Sequence, residues 1–204
     1  MTIVGALLEG LAPGLCAVCG APGTARICGT CTRSVAVRVP APQGLEECRS
    51  LGPYEGALGE AIRRAKYRRD LFLVDALGAW LGRSVADWLA VDAIVPVPVP
   101  PHRLLLRGFD QGVRLGRGVA EETGIEMRLA LRRRWGERQV GKTASARRKL
   151  DHIAFLPRLR LKGARILLVD DVVTTGATMA AAAESLKRCG ASHVWGLTVA
   201  HCHK

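Results

Sequence analysis

Arg165-Ile-Leu-Leu-Val-Asp-Asp-Val-Val-Thr-Thr-Gly-Ala-Thr178 decides how this chain is read. Ile166 to Val169 is a short apolar run rich in branched residues, which suits a strand buried on both faces. Two acids follow, Asp170 and Asp171, and then the small, hydroxyl-rich Thr174-Thr175-Gly176-Ala177-Thr178. An alanine-rich helical stretch runs from there to about Cys189, with Gly190 as its stop. Strand, acidic pair, small-residue turn and helix start make a phosphate cradle in that order. N–H groups at a helix N-terminus have no partner within the helix and point at an anion. The acids set this turn apart from an ordinary phosphate loop. Carboxylates repel phosphate, so beside a phosphate seat they serve as acceptors for sugar hydroxyls or as help with Mg²⁺. A phosphorylated ribose satisfies both halves. No Lys follows Gly176 as a Walker loop requires, so an ATP loop is disfavoured.

LLVDDVVTTGAT resembles the phosphoribosyl-pyrophosphate (PRPP) motif of type I phosphoribosyltransferases. The resemblance implies an α/β fold, a mostly parallel sheet flanked by helices. It implies PRPP contacts from Asp170, Asp171, Thr174, Thr175, Gly176, Ala177 and Thr178, with Mg²⁺ accompanying the ligand.

Outward from this stretch, the 204 residues suit one ordinary domain plus a small appendage. Hydrophobic residues make up 49%, enough for a packed core. Lys and Arg number 30 against 18 Asp and Glu, a net charge of +12 that favours polyanionic partners. No apolar run approaches the ~20 residues of a membrane span. Met1 to Leu15 is apolar but lacks the basic start of a secretory signal, and reads as a packed amphipathic helix. The expectation is a cytoplasmic protein with reduced cysteines.

Cys16-x-x-Cys19 and Cys28-x-x-Cys31 are two knuckles separated by a Gly- and Pro-containing turn. Each knuckle sets two thiolates on one side of a tight loop, and two complete a closed S4 site for a structural Zn²⁺. The expected division is a zinc module over residues 1–45 and a phosphoribosyltransferase-like domain over 46–204. Residues 32–53 read as a linker and a first strand around Cys48 to Leu51. The next helix carries Arg63, Arg64, Lys66, Arg68 and Arg69, which face either phosphate or solvent. A second helix spans about Leu71 to Leu89, with Trp80 and Trp88 as packing residues. Ala93 to Val99 is a strand kept short by its prolines. A bend at Arg107 and Gly108 then leads into another helix, and His193 to Ala200 is the last strand.

VPVPVPPHRLLLRGFDQ, residues 95–111, resembles the VPVP…RGFNQ segment of the ComF family, with Asp110 where Asn is common. These are phosphoribosyltransferase-like proteins linked to natural competence and DNA uptake, and they typically carry an N-terminal four-cysteine zinc finger. The resemblance implies that Arg103 and Arg107 meet the pyrophosphate, Arg107 counting with Asp170 and Asp171 as catalytic. It implies single-stranded DNA and a competence helicase as partners. Residues 131–149 are the most basic part of the chain. Arg132, Arg133, Arg134, Arg138, Lys142, Arg147 and Arg148 either clamp pyrophosphate or grip a nucleic-acid backbone, with Trp135 either stacking on a base or anchoring the loop to the body. The main expectation is a PRPP-binding competence factor. An active transferase in nucleotide salvage and a non-catalytic PRPP sensor are the alternatives.

Overall fold

A computed structural model describes residues 14–23, 25–85, 90–133 and 155–202. The centre is a five-stranded sheet in the order β3-β4-β9-β8-β5. Its strands are β3 (Val37–Val39), β4 (Cys48–Pro53), β5 (Ala93–Pro96), β8 (Arg165–Val173) and β9 (His193–His201). The pairings β4–β9, β9–β8 and β8–β5 are parallel, and only the edge strand β3 runs antiparallel, against β4. The mostly parallel sheet expected from the sequence is therefore present. β3 lies within the first 45 residues yet completes this sheet.

The strand faces follow the pleat. Leu167 and Val169 of β8 pack into one apolar layer with α2 (Gly56–Tyr67), α3 (Leu71–Arg83) and α5 (Gln111–Thr123). Ile166 and Leu168 pack into the opposite layer, with Met179, Ala182 and Leu186 of α6 (Ala177–Arg188). Continuous apolar strands are thus covered on both sides, as a parallel sheet requires.

The helices form where an apolar stripe repeats every three to four residues. On α2 the stripe is Leu58, Ala61, Ile62 and Ala65. On α3 it is Leu73, Val74, Leu77, Trp80 and Leu81, behind an Asp70 cap that accepts the Leu73 N–H at 3.1 Å. Helices α3 and α5 touch backbone to backbone: a Cβ on Gly118 would stand 2.6 Å from the Gly78 carbonyl carbon. α4 (Pro101–Arg107) was not expected, since the sequence suggested only a stiff exit and a bend there. Its start is nonetheless written in the chain, because Pro101 occupies the first helical position, where a missing N–H costs nothing.

A short antiparallel pair, β6 (Leu131–Arg133) with β7 (Phe155–Pro157), stands against α6, where Ser185 Oγ donates to the Phe155 carbonyl at 3.2 Å. These strands bracket residues 134–154. The first three residues of the basic stretch are therefore strand rather than loop. The N-terminal module comprises the pair β1 (Gly14–Leu15) and β2 (Pro22–Gly23) and the single helical turn α1 (Gly29–Thr32). The helix expected over Met1 to Leu15 lies outside the described residues, except that Gly14 and Leu15 are strand. Buried Cys16 and Ile27 of the module share an apolar cluster with α3. Trp80, 3% exposed, packs there as expected and donates its indole N–H to the Ser34 carbonyl at 3.0 Å. Trp88 lies outside the described residues.

Candidate functional site

β8 runs past Val169 to Val173, so both acids are strand residues and the pleat sends them to opposite faces. Asp171 follows Leu167 and Val169 toward the α2 side. There the Lys66 ammonium reaches its Oδ2 at 2.9 Å, with both side chains largely withdrawn from water. The same ammonium lies 5.9 Å from the ring centre of Tyr54. Asp170 follows Ile166 and Leu168 to the α6 side. Its Oδ1 accepts the Asp171 backbone N–H at 2.8 Å. Burial, and then the Asp171 charge, push the Asp170 carboxyl up to about 8, against the opposing pull of that N–H, Lys66 and Arg133. Arg133 stands over the Phe155 ring at 5.2 Å and acts on Asp170 through its charge. Lys66 therefore acts on both acids, by an ion pair with Asp171 and by its charge on Asp170, and Arg133 adds a weaker pull on Asp170. A protonated Asp170 beside an ion-paired Asp171 also avoids two adjacent bare carboxylates.

The turn after β8 is tightly fixed. Gly176 is buried with φ 78°, in the left-handed region that side chains avoid, and a Cβ there would stand 2.8 Å from Pro42 Cγ. Thr174, Thr175 and Ala177 are exposed and Thr178 is half-buried. Thr175 Oγ1 accepts the Ala177 N–H at 3.4 Å, and α6 begins at Ala177. The exposed hydroxyls and the first-turn N–H groups of a twelve-residue helix therefore lie next to the acids.

β5 and β8 are parallel neighbours, so their C-terminal ends open on one edge of the sheet, where ligands of such folds bind. α4 leaves β5 at that edge. Arg103 and His102 are exposed on it, and Arg107 is half-buried, its Nη1 3.5 Å from the Gln111 Oε1. Gln111 is 1% exposed, and its amide nitrogen has no hydrogen-bond partner among the described residues. Asp110 caps α5: Oδ1 accepts the Val113 N–H at 3.1 Å and Oδ2 the Val99 N–H at 3.3 Å. The two bonds use separate carboxylate oxygens, whereas Asn offers one acceptor oxygen and a donating NH2, so Asp in this departure from the ComF pattern serves both N–H groups at the bend. Burial raises the Asp110 carboxyl, with the N–H donors of Val113, Val99 and Gly112 opposing. Arg69 joins the end of α2 to α4, donating to the Leu106 carbonyl at 2.7 Å.

Among the basic residues singled out in the sequence, Arg132 is exposed and Arg133 is half-buried over the Phe155 ring. Arg134, Trp135, Arg138, Lys142, Arg147 and Arg148 lie outside the described residues. The pairing of Lys66 was not legible in the sequence. Its partner is more than a hundred residues away, and nothing local separates it from the arginines around it.

The four cysteines of the two knuckles do meet. Their sulfurs all lie within 4.8 Å of one another, Cys19 to Cys28 at 3.6 Å and Cys16 to Cys31 at 3.9 Å. A tetrahedron with metal–sulfur bonds of ~2.3 Å has edges of ~3.8 Å, so this spacing fits a single thiolate-bound ion. Burial opposes ionising Cys16, but N–H groups of Cys19, Cys28 and Val18 outweigh it and draw the thiol down to about 6. Cys31 is pushed strongly up, by burial and by its neighbouring sulfurs. Four sulfurs this close cannot all ionise unless a cation sits among them.

The phosphoribosyl transferase domain model matches residues 110–202, from the α5 cap to the end of β9. The DNA utilization protein YhgH of Salmonella typhimurium strain LT2 is 30% identical over 219 residues, covering 91% of this chain and 96% of the relative. The competence protein ComFC of Streptococcus pneumoniae is 27% identical, covering 72% of this chain and 64% of its own. A solved structure titled as the allosteric regulatory enzyme of purine biosynthesis superposes with a TM-score of 0.46 at 22% identity, over 61% of this chain and 25% of that one. The fold is of the phosphoribosyltransferase class. Within that class, the chain belongs to the ComF family of phosphoribosyltransferase-like proteins.

Proposed function

We propose that this protein binds PRPP with Mg²⁺ at the C-terminal end of β8 and acts in the cytoplasmic handling of single-stranded DNA during DNA uptake. The observation that carries the reading is the joint of β8 and α6. Hydroxyls and helix N–H groups at Thr174 to Thr178 suit a 5-phosphate, and Asp170 and Asp171, one step back, suit ribose hydroxyls. The names of the relatives, DNA utilization protein and competence protein, support the DNA role. The cysteine module braces the phosphoribosyltransferase-like domain, whose sheet takes in β3 from the first 45 residues, and Cys16, Cys19, Cys28 and Cys31 hold a structural Zn²⁺. A competence helicase is the protein partner.

The site also suits displacement at the anomeric carbon of the ribose. Positive charge grows on the ring as pyrophosphate leaves, so the task is electrostatic. The Asp171 carboxylate lies where it stabilises that cation, and Arg103 and Arg107 take up charge on the leaving group. Mg²⁺ shields the pyrophosphate when bound. No side chain needs to act as a covalent nucleophile.

Calorimetry with PRPP and Mg²⁺ tests the site. Asp171→Asn keeps the shape but removes the stronger acceptor, and binding should weaken by roughly 10-fold or more. Equal affinities for both proteins would sink the reading. For DNA, replacing Arg132 and Arg134 together with Ala should weaken single-strand binding. It should also flatten the dependence of log K on log salt by about 1.4, since each phosphate contact contributes ~0.7. An unchanged slope would place the strand elsewhere on the protein.

A further inference from the structure

The residue left over by this account is Lys66. Lysines are rarely withdrawn from water, yet its side chain is only 13% exposed and that of its partner Asp171 only 18%. A largely buried ion pair is a poor way to gain stability, because apolar packing of the same volume does as well or better. This pair also sits at the ligand edge of the sheet rather than in the core. Asp171 is the very carboxylate that the ribose reading requires.

Position adds a second argument. Lys66 belongs to the last turn of α2, and three residues on Arg69 is tied to α4 at Leu106. The end of α2 therefore spans from the acid pair on β8 to the helix that carries Arg103 and Arg107. An ammonium offers three N–H donors. One is engaged by Asp171, and among the described residues the head group also faces the Tyr54 ring. A highly anionic ligand approaching two adjacent acids needs a cation between the acids and its phosphates, and Lys66 stands at that boundary.

We infer that Lys66 is a ligand-binding residue: it bridges Asp171 to the pyrophosphate group of PRPP and so selects the pyrophosphorylated sugar over plain ribose 5-phosphate. This rests on the phosphoribosyl reading above. Asp171 keeps the ammonium in place in the free protein, which lowers the entropy cost of binding. When the ribose hydroxyls engage the acids, the remaining N–H groups of Lys66 turn to pyrophosphate oxygens.

The test uses the full-length protein and Lys66→Gln. Glutamine keeps a donor for Asp171 and removes the charge. Each protein is titrated with PRPP, with inorganic pyrophosphate and with ribose 5-phosphate, all with Mg²⁺. The variant should lose roughly 10–100-fold in affinity for PRPP and for pyrophosphate, the range expected of one charge-assisted contact. Its affinity for ribose 5-phosphate should stay within about threefold, which also shows that the site is folded. A parallel loss for all three ligands makes Lys66 a tie between α2 and β8 and overturns the inference. Tighter binding by the variant makes Lys66 a competitor of the ligand's metal ion and overturns it too. A parent protein that binds none of the three brings down the phosphoribosyl reading itself, whatever the variant does.

Discussion

Removing metal from the four-cysteine module should collapse residues 14–34 while leaving the five-stranded sheet folded. Little else holds the module's shape. β1 and β2 pair over only two residues each, and α1 is a single turn with no buried residue. Structural Zn²⁺ in such sites contributes on the order of 10–16 kcal/mol of apparent binding energy, which exceeds any packing a module this small offers. Its links to the rest of the protein are weaker. Besides the apolar packing of Cys16 and Ile27 with α3, the polar links are few: Arg26 approaches Asp70 at 3.5 Å and lies 5.8 Å from the Phe72 ring centre, and Trp80 donates to Ser34. Each is worth about 1 kcal/mol or less in partly exposed surroundings. The prediction is therefore specific: one Zn²⁺ per chain by elemental analysis, lost on strong chelation or in Cys19→Ser. Hydrogen exchange should become fast over residues 25–34, change modestly along α3 and stay slow in β8 and β9. Acid should release the metal as the thiolates take up protons. A protein that carries no metal as purified and shows unchanged exchange in this segment would sink the zinc assignment.

How far the sequence could be read depended on whether the decisive interaction was local. The β8–turn–α6 unit was legible because strand, acids, turn and helix are contiguous, and each residue type has one good use there. The cysteine spacing was legible for the same reason. What failed was long-range or depended on an exact boundary. Ending the strand at Val169 put the two acids in a turn. Carrying it to Val173 applies the two-residue period to them, setting Asp171 against Lys66 and Asp170 on the α6 side. β3, Val37-Arg38-Val39, is only three residues long and mostly exposed, and it is a strand because β4 offers it an open edge. Charge alone groups Arg133 with its neighbours, whereas on β6 it is half-buried and stands over the Phe155 ring. The surroundings of each acid, unlike the motif containing them, are set by elements from three separate parts of the chain.

The hinge of the whole site is Gly176, and Gly176→Val should abolish PRPP binding, a loss of roughly 100-fold or more. Two independent costs act at this position. With φ at 78°, any L side chain is strained, by about 1–2 kcal/mol and more for a β-branched one. A Cβ would also stand 2.8 Å from Pro42 Cγ and 2.9 Å from Pro42 Cβ, and the proline ring cannot swing away as a long flexible chain would. The turn relieves both by moving off Pro42, which shifts the Thr174 and Thr175 hydroxyls and the first N–H groups of α6 together. Phosphate selection depends on their joint aim, so a displacement of about 1 Å is enough. Stability should fall by only ~1–3 kcal/mol, because α6 keeps its buried face of Met179, Ala182, Ala183 and Leu186. Gly176→Ala paired with Pro42→Ala separates the two costs. Trimming the proline should restore part of the affinity lost by the alanine, while the backbone strain remains. A valine variant that still binds PRPP within threefold of the parent would mean that the phosphate sits away from this turn, and the acid pair would then need another explanation.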